Sequence, residues 1–134
     1  SGSGRLFGGT GNDVLLTELA AGNTLAGGGG RDQFIVTAFG RGYDADFERC
    51  EISDFSASSR ELIDLSRVDA DLGAYGNNGF RWVGRAAPTR AGELGYRQEG
   101  SDAILHGRIA ADGSMDFEIL LVGVTNPQES WFVL

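Results

Sequence analysis

Two nine-residue stretches decide the fold: Gly8-Gly9-Thr10-Gly11-Asn12-Asp13-Val14-Leu15-Leu16 and Gly27-Gly28-Gly29-Gly30-Arg31-Asp32-Gln33-Phe34-Ile35. Each has glycine at its first, second and fourth positions, aspartate at the sixth and a large apolar residue at the eighth. Glycine accepts positive φ, so the backbone can turn its carbonyls towards a common point. The aspartate adds a charged oxygen ligand of the kind that calcium prefers. Each stretch therefore predicts a cation-binding turn followed by a short strand.

The spacing of the two stretches predicts how they stack. Residues 17–26 lie between them, one residue more than a third nonapeptide needs, with Asn23 at the aspartate position. Upstream, Gly4 stands where an aspartate would be. If each nonapeptide is half a turn of a coil, alternate repeats lie on the same side. The loops of Asp13 and Asp32 would then hold one calcium ion between them, and the opposite side has lost its carboxylates.

The pattern resembles the nonapeptide repeat of RTX (hemolysin-type) calcium-binding proteins, which fold as a parallel β-helix or β-roll. The resemblance implies calcium as the cofactor and the turns as its ligands: Gly8, Gly9, Gly11, Asp13, Gly28, Gly30 and Asp32. Glycine-rich stretches are also typical of flexible linkers. Two full matches with aspartate and apolar residue in phase favour the repeat. Two full repeats cannot bury a hydrophobic core alone, because such stacks need about three or more repeats and capping structures at their ends.

The segment after the repeats extends the resemblance. Ile52-Ser53-Asp54-Phe55, a short turn, and then Ile63-Asp64-Leu65-Ser66 look like the connection in serralysin-type metalloproteases and in the calcium modules of mannuronan epimerases. In that family the connection leads into an antiparallel cap, and its acidic residues are sometimes further calcium ligands. The resemblance therefore adds Asp44, Asp46 and Asp54 as candidate ligands.

From Phe80 onwards, short apolar segments alternate with turn signals, a pattern typical of an antiparallel sheet. Asp112-Gly113 predicts a hairpin, and residues 117–124 predict the central strand of the cap. The sequence thus predicts an all-β fold. A short parallel β-roll at residues 1–39 continues into an antiparallel, β-sandwich-like cap at residues 40–134, as one continuous domain.

Composition limits the class of protein and its partners. The 134 residues are enough for one domain with a real core. A net charge of −8 argues against nucleic acid and anionic membranes as partners. The single cysteine, Cys50, excludes an internal disulfide and a cysteine-based metal cluster. No stretch is long and apolar enough for a membrane span, and no N-terminal signal peptide is visible.

The C-terminal residues suggest that the protein is exported from the cell. In type I secreted RTX proteins, an acidic residue followed by a few hydrophobic ones belongs to the uncleaved export signal. The resemblance implies the type I secretion machinery as a partner and an extracellular location. Alternatively, or in addition, the segment is a final edge strand. The candidate export residues are Glu129, Trp131, Phe132, Val133 and Leu134.

No catalytic constellation is visible in the sequence. His106 is the single histidine, and the H-E-x-x-H zinc motif is missing. The leading hypothesis is a non-catalytic, C-terminal calcium-binding module of a larger secreted bacterial protein, which folds on extracellular calcium. One alternative is a module that binds acidic, alginate-like polysaccharide through Arg5, Arg31 and Arg41. Another is a structural cap whose calcium sites are relics.

Overall fold

The computed structural model describes residues 5–18, 23–37, 50–56, 60–66, 79–86, 88–108 and 117–134. Within these ranges the chain forms eleven β-strands and one three-residue 3-10 helix, Glu129–Trp131. The strands are β1 Arg5–Phe7, β2 Val14–Glu18, β3 Thr24–Ala26, β4 Gln33–Thr37, β5 Cys50–Ile52, β6 Leu62–Asp64, β7 Arg81–Gly84, β8 Glu93–Glu99, β9 Asp102–Arg108, β10 Phe117–Leu121 and β11 Phe132–Val133. The predicted all-β fold is confirmed.

The strands form two sheets, between which the N-terminal half of the chain alternates. The first sheet has the order β1-β3-β5-β10-β9-β8-β7, and the second has the order β11-β6-β4-β2. From β1 to β6 the chain therefore crosses from one sheet to the other at each turn, and strands within a sheet pair in parallel. This is the coil that the repeats predict.

Apolar residues at the same position of each turn stack into the core. In the second sheet, Leu15 pairs with Phe34 and Phe34 with Ile63, and all three are buried. In the first sheet, Leu25 pairs with Ile52, and both are almost fully buried. Burial of these side chains is the main favourable free energy of such a coil, because stacked turns remove each other's apolar faces from water.

The parallel coil continues beyond residue 39, where the sequence places the end of the β-roll. Strands β5 and β6 add a third turn, although no glycine-rich repeat precedes them. Ile52 and Ile63 extend the two apolar columns, so packing continues the coil after the turn motif has ended. The final strand β11 then pairs in parallel with β6.

The cap extends the first sheet and is not antiparallel throughout. Strands β8, β9 and β10 pair in antiparallel fashion, and the β8–β9 turn contains Gly100 at φ 63°. However, β10 pairs in parallel with β5, and β7 pairs in parallel with β8. The connection from β7 passes over β8, since a Cβ on Gly95 would contact the carbonyl oxygens of Ala86 and Gly84. Between the two strands the chain returns to the level at which β7 begins, so that Glu93 lies beside Arg81 and both strands run in the same direction.

The C-terminal residues close the core. Phe132 is buried and its ring lies 5.0 Å from that of Trp82, while Trp131 lies 5.6 Å from Phe55. At the opposite end, β1 and β2 are edge strands and leave large side chains exposed: Phe7 at 70%, Val14 at 65% and Leu16 at 53%. Among the described residues, no helix is long and apolar enough to cross a membrane.

Candidate metal centre

Three acidic residues stand in line where the chain enters the second sheet. Val14 pairs with Gln33 and Gln33 with Leu62, so the residues before them, Asp13, Asp32 and Glu61, occupy equivalent positions. The backbone confirms the alignment, because Gln33 N donates to Asp13 O and Leu62 N to Asp32 O. Neighbouring strands lie about 4.8 Å apart. We call Asp13, Asp32 and Glu61 the carboxylate column.

Within the column, one oxygen of each aspartate has no partner. Asp32 Oδ1 accepts a hydrogen bond from the backbone N–H of Asp13 at 2.9 Å. The other oxygen, Oδ2, is buried in both Asp13 and Asp32, and no group among the described residues forms a hydrogen bond with it. Asp32 as a whole is only 2% exposed. A buried anionic oxygen without a partner is costly, so these two atoms mark a place where positive charge would stabilise the fold.

Glycine is required beside these oxygens for reasons of space. A Cβ on Gly27 would overlap the carboxylate of Asp32, and one on Gly8 would lie 2.7 Å from Asp13 Oδ2. At Gly28 the backbone has φ 82°, and a Cβ there would meet the carbonyl oxygen of Gly9. The glycines therefore let backbone carbonyls and carboxylates of successive turns approach closely.

The donor set fits calcium. Calcium binds about six to eight oxygens from carboxylates, backbone carbonyls and water, and the turns offer the first two kinds. Among the described residues, no cluster of three or more His, Cys, Asp or Glu side chains is arranged to hold a metal ion. A cation between Asp13 and Asp32 would therefore depend on backbone carbonyls for part of its shell, as the glycine-rich turns allow.

Glu61 is the functional candidate that sequence reasoning missed. It is 2% exposed, and burial raises its pKa from 4.5 to about 7. The backbone N–H of Ser56, which donates to Glu61 Oε1 at 2.8 Å, works in the opposite direction, and the nearby carboxylates of Asp32 and Asp54 raise the pKa further. The sequence feature that could have identified Glu61 is its position directly before an apolar strand, which Asp13 and Asp32 share.

Asp54, which follows β5, binds the backbone of the turn between β3 and β4. Its Oδ1 accepts from the backbone N–H of Gly27 and its Oδ2 from that of Gly28, each at 2.8 Å. It is thus placed beside the turn that contains Asp32, on the side of the coil where the column lies. The other two candidates from this connection, Asp44 and Asp46, lie outside the described residues.

The remaining predicted residues lie elsewhere. On the opposite side of the coil, Asn23 Nδ2 donates to Thr17 Oγ1 at 2.8 Å, and Gly4 is outside the described residues. His106 lines a separate hollow of about 110 Å³ together with Arg85 and Arg97. Of the candidate export residues, Glu129 and Trp131 bound the 3-10 helix and Phe132 and Val133 form β11, with Leu134 following.

Comparison with known proteins gives a structural likeness only. No family model and no curated protein matches the sequence. The fold is similar to the solution structure of the AlgE6R3 subunit from the Azotobacter vinelandii mannuronan C5-epimerase, with 26% identity and a TM-score of 0.56. The likeness covers 96% of this chain and 66% of that one, so the chain spans less than two thirds of the neighbour. The chain is therefore similar in fold to a subunit of an epimerase.

Proposed function

We propose that the chain is a calcium-binding β-roll module and that it acts by folding and binding rather than by catalysis. The observation that carries the proposal is the pair of buried, unpartnered Oδ2 atoms of Asp13 and Asp32 between stacked glycine turns. Their charge has no compensation from an ion pair in the described part of the chain, where the ion pairs involve Arg97.

The column would couple calcium binding to folding. The carboxylates of Asp13 and Asp32 stand on adjacent turns of the coil, and like charges this close repel each other. Calcium supplies two positive charges that remove this repulsion. The unfolded chain does not hold the two turns in register, so the free energy of calcium binding adds to the free energy of folding.

The structural neighbour supports a module within a larger protein. It is a subunit of a mannuronan C5-epimerase, and it supports a role for this chain as an accessory part of a larger enzyme. Export through the type I secretion machinery and an extracellular location stay predictions from the sequence. Binding of an acidic, alginate-like polysaccharide likewise stays a prediction from the sequence.

Isothermal titration calorimetry with calcium tests the proposal. We expect the wild type to bind at least one calcium ion, with a dissociation constant near the range of about 10⁻⁴–10⁻³ M typical of extracellular modules. Asp32→Asn should abolish that binding, because it removes the charge from a carboxylate that is only 2% exposed and adjoins Asp13 in the column. Glu129→Gln removes an equal charge from an exposed position and should bind as the wild type does. No calcium binding by the wild type would contradict the proposal.

A further inference from the structure

The hollow that His106 lines, of about 110 Å³, lies between the connection that follows β7 and the strands β8 and β9. Its lining consists of Arg85, Ala86, Pro88, Tyr96, Arg97 and His106. Among the described residues no acidic side chain lines it, although the chain as a whole has a net charge of −8. Two arginines and the single histidine of the chain therefore meet at one small space, away from the proposed calcium centre.

A tight turn after β7 places Arg85 over the sheet. Gly84 adopts φ 63°, a conformation that favours glycine, and the backbone N–H of Ala86 donates to the carbonyl of Val83 at 3.3 Å. The connection can lie close to β8 because residue 95 is a glycine. A Cβ on Gly95 would contact the carbonyl oxygens of Ala86 and Gly84. The connection therefore forms one wall of the hollow, and β8 and β9 form the other.

Arg97 and His106 stand on the face of the first sheet that points away from the core. Their neighbours Tyr96 and Leu105 belong to the core, and successive side chains of a strand point to opposite faces. His106 is paired with Gly95, so it lies diagonally across from Arg97 on the adjacent strand. Long side chains can reach each other at this diagonal spacing.

The two arginines differ in how firmly they are held. Arg97 Nε donates to Glu99 at 2.6 Å and Nη1 donates to Glu118 at 2.7 Å, while Nη2 makes no hydrogen bond with a described residue. Arg85 is exposed, and its guanidinium forms no hydrogen bond or ion pair with the described residues. An imidazole such as that of His106 can donate from one ring nitrogen while the other has a different partner. One arginine is thus fixed in orientation, and the other can turn towards a ligand.

The size of the hollow and its donors suit a phosphate group. Pockets for a whole drug-sized molecule have about 300–1,000 Å³, so this hollow takes a single functional group. The three donor side chains come from three separate segments and can reach different oxygens of a tetrahedral anion, whereas a carboxylate has only two oxygens. A phosphate monoester carries a charge of about −1.5 to −2 at pH 7, which matches two guanidinium groups, and arginine binds phosphate through paired N–H donors.

We propose that this hollow binds a phosphate group, as the free ion or as a monoester on a larger molecule. Arg97 is the fixed donor, His106 donates from the same sheet, and Arg85 closes over the anion from the connection. The inference does not rest on the proposed calcium function, because none of the residues that line the hollow belongs to the carboxylate column.

NMR titration with glycerol 2-phosphate, a monoester that stays soluble with calcium, tests the proposal on the calcium-loaded protein. The single histidine gives one set of imidazole signals, which report on the hollow directly. We expect these signals to shift in a saturable manner at pH 7. The affinity should fall about tenfold or more in Arg85→Gln and in Arg97→Gln, the loss for one charge-assisted contact. Because Arg85 has no partner among the described residues, Arg85→Gln leaves the contacts of the described fold intact.

Controls separate the site from general attraction of anions. Arg90→Gln removes an exposed arginine of the same cap that does not line the hollow, and it should bind as the wild type does. Acetate and methyl sulfate, which carry one charge, should bind about tenfold more weakly than the monoester or worse. A wild type without a saturable shift, an equal loss of affinity in Arg90→Gln, or acetate binding as tight as that of the monoester would overturn the inference.

Inorganic phosphate, at concentrations below those at which it precipitates with calcium, distinguishes the two sources of the group. Equal affinity for inorganic phosphate and for glycerol 2-phosphate supports recognition of the phosphate group alone. Tighter binding of the monoester supports a phosphorylated molecule as the ligand. Phosphate binding by a protein that does not bind calcium would support this inference and contradict the calcium function, so the two proposals can fail separately.

Discussion

At Gly27 the missing side chain makes room for the carboxylate of Asp32. Glycine in a turn is usually explained by its conformational freedom. At Gly27 the reason is steric, because a Cβ would overlap the carboxylate of Asp32. Gly29, two residues later, has nothing within 4 Å of the position of its Cβ and no positive φ. The two glycines of one run therefore have different reasons to be there, and substitution can separate them.

Gly27→Ala should lower the free energy of unfolding in calcium by about 1–3 kcal/mol, the usual effect of forcing an extra methyl group into a packed site. Calcium affinity should fall as well, because the Asp32 carboxylate must move. Gly29→Ala is the control and should change stability by no more than about 1 kcal/mol, in the stabilising direction if at all. Urea unfolding of both variants measures the difference. Equal effects would contradict the packing account.

Glu61 makes stability depend on pH in the calcium-free protein. Its pKa is about 7 in the folded state and 4.5 ordinarily, so the folded protein binds more protons between these pH values. The free energy of unfolding should therefore fall as pH rises from 4.5 to 7, by about 3 kcal/mol from this group. In Glu61→Gln this contribution disappears.

Urea unfolding at pH 5 and pH 8, without calcium, checks this prediction. The Glu61→Gln variant should match the wild type at pH 5 and exceed it in stability at pH 8. Glu129→Gln, at an exposed position, controls for the loss of one negative charge. A wild type and a Glu61→Gln variant with the same pH dependence would show that the carboxyl of Glu61 is not buried in the folded protein.

At the scale of elements, the short strand β11 joins the last residues to the coil. It pairs with β6, and Phe132 lies in the core while Val133 is 36% exposed. Phe132→Ala should therefore destabilise the protein by about 3 kcal/mol or more. Val133→Ala, on the same strand, should have an effect of about 1 kcal/mol or less. Urea unfolding in calcium compares the two, and equal losses would contradict the pairing of β11 with the core.

How well the sequence predicts a contact depends on how far apart the two residues are along the chain. The stacking of Asp13 on Asp32 is predictable, because their separation of 19 residues is close to two nonapeptides, with a worn repeat around Asn23 between them. Glu61 was missed because the segment between Asp32 and Glu61 has no repeat along which a register can be counted. Position relative to an apolar strand was the only local clue.

The parallel pairings of the cap were beyond local reasoning. Hairpin signals predict that a strand turns back on its neighbour, as β8 and β9 do. The pairings of β10 with β5 and of β11 with β6 join strands far apart in the chain, and apolar patterns are the same for either direction. Only the shared apolar core between the sheets, which contains Phe117 and Ile119 from β10, selects them.

At the scale of the whole molecule, calcium and the core stabilise different parts of one structure. The first sheet runs without interruption from the repeat strands β1 and β3 to the cap strands. The turns at Asp13 and Asp32 each hold a buried carboxylate oxygen that has no hydrogen-bond partner within the described residues. Binding of calcium at these turns should therefore stabilise the cap as well, since both belong to one sheet and one core.

The measurement that tests this most directly is thermal melting followed by circular dichroism, in calcium and then in excess chelator. At a calcium concentration about 100 times the dissociation constant, binding adds about 2.7 kcal/mol, which corresponds to a rise on the order of 10 °C in Tm. We expect the wild type and Glu129→Gln to lose this stabilisation in chelator, and Asp13→Asn/Asp32→Asn to melt identically in both conditions. Superimposable melts of the wild type with and without calcium would contradict the account.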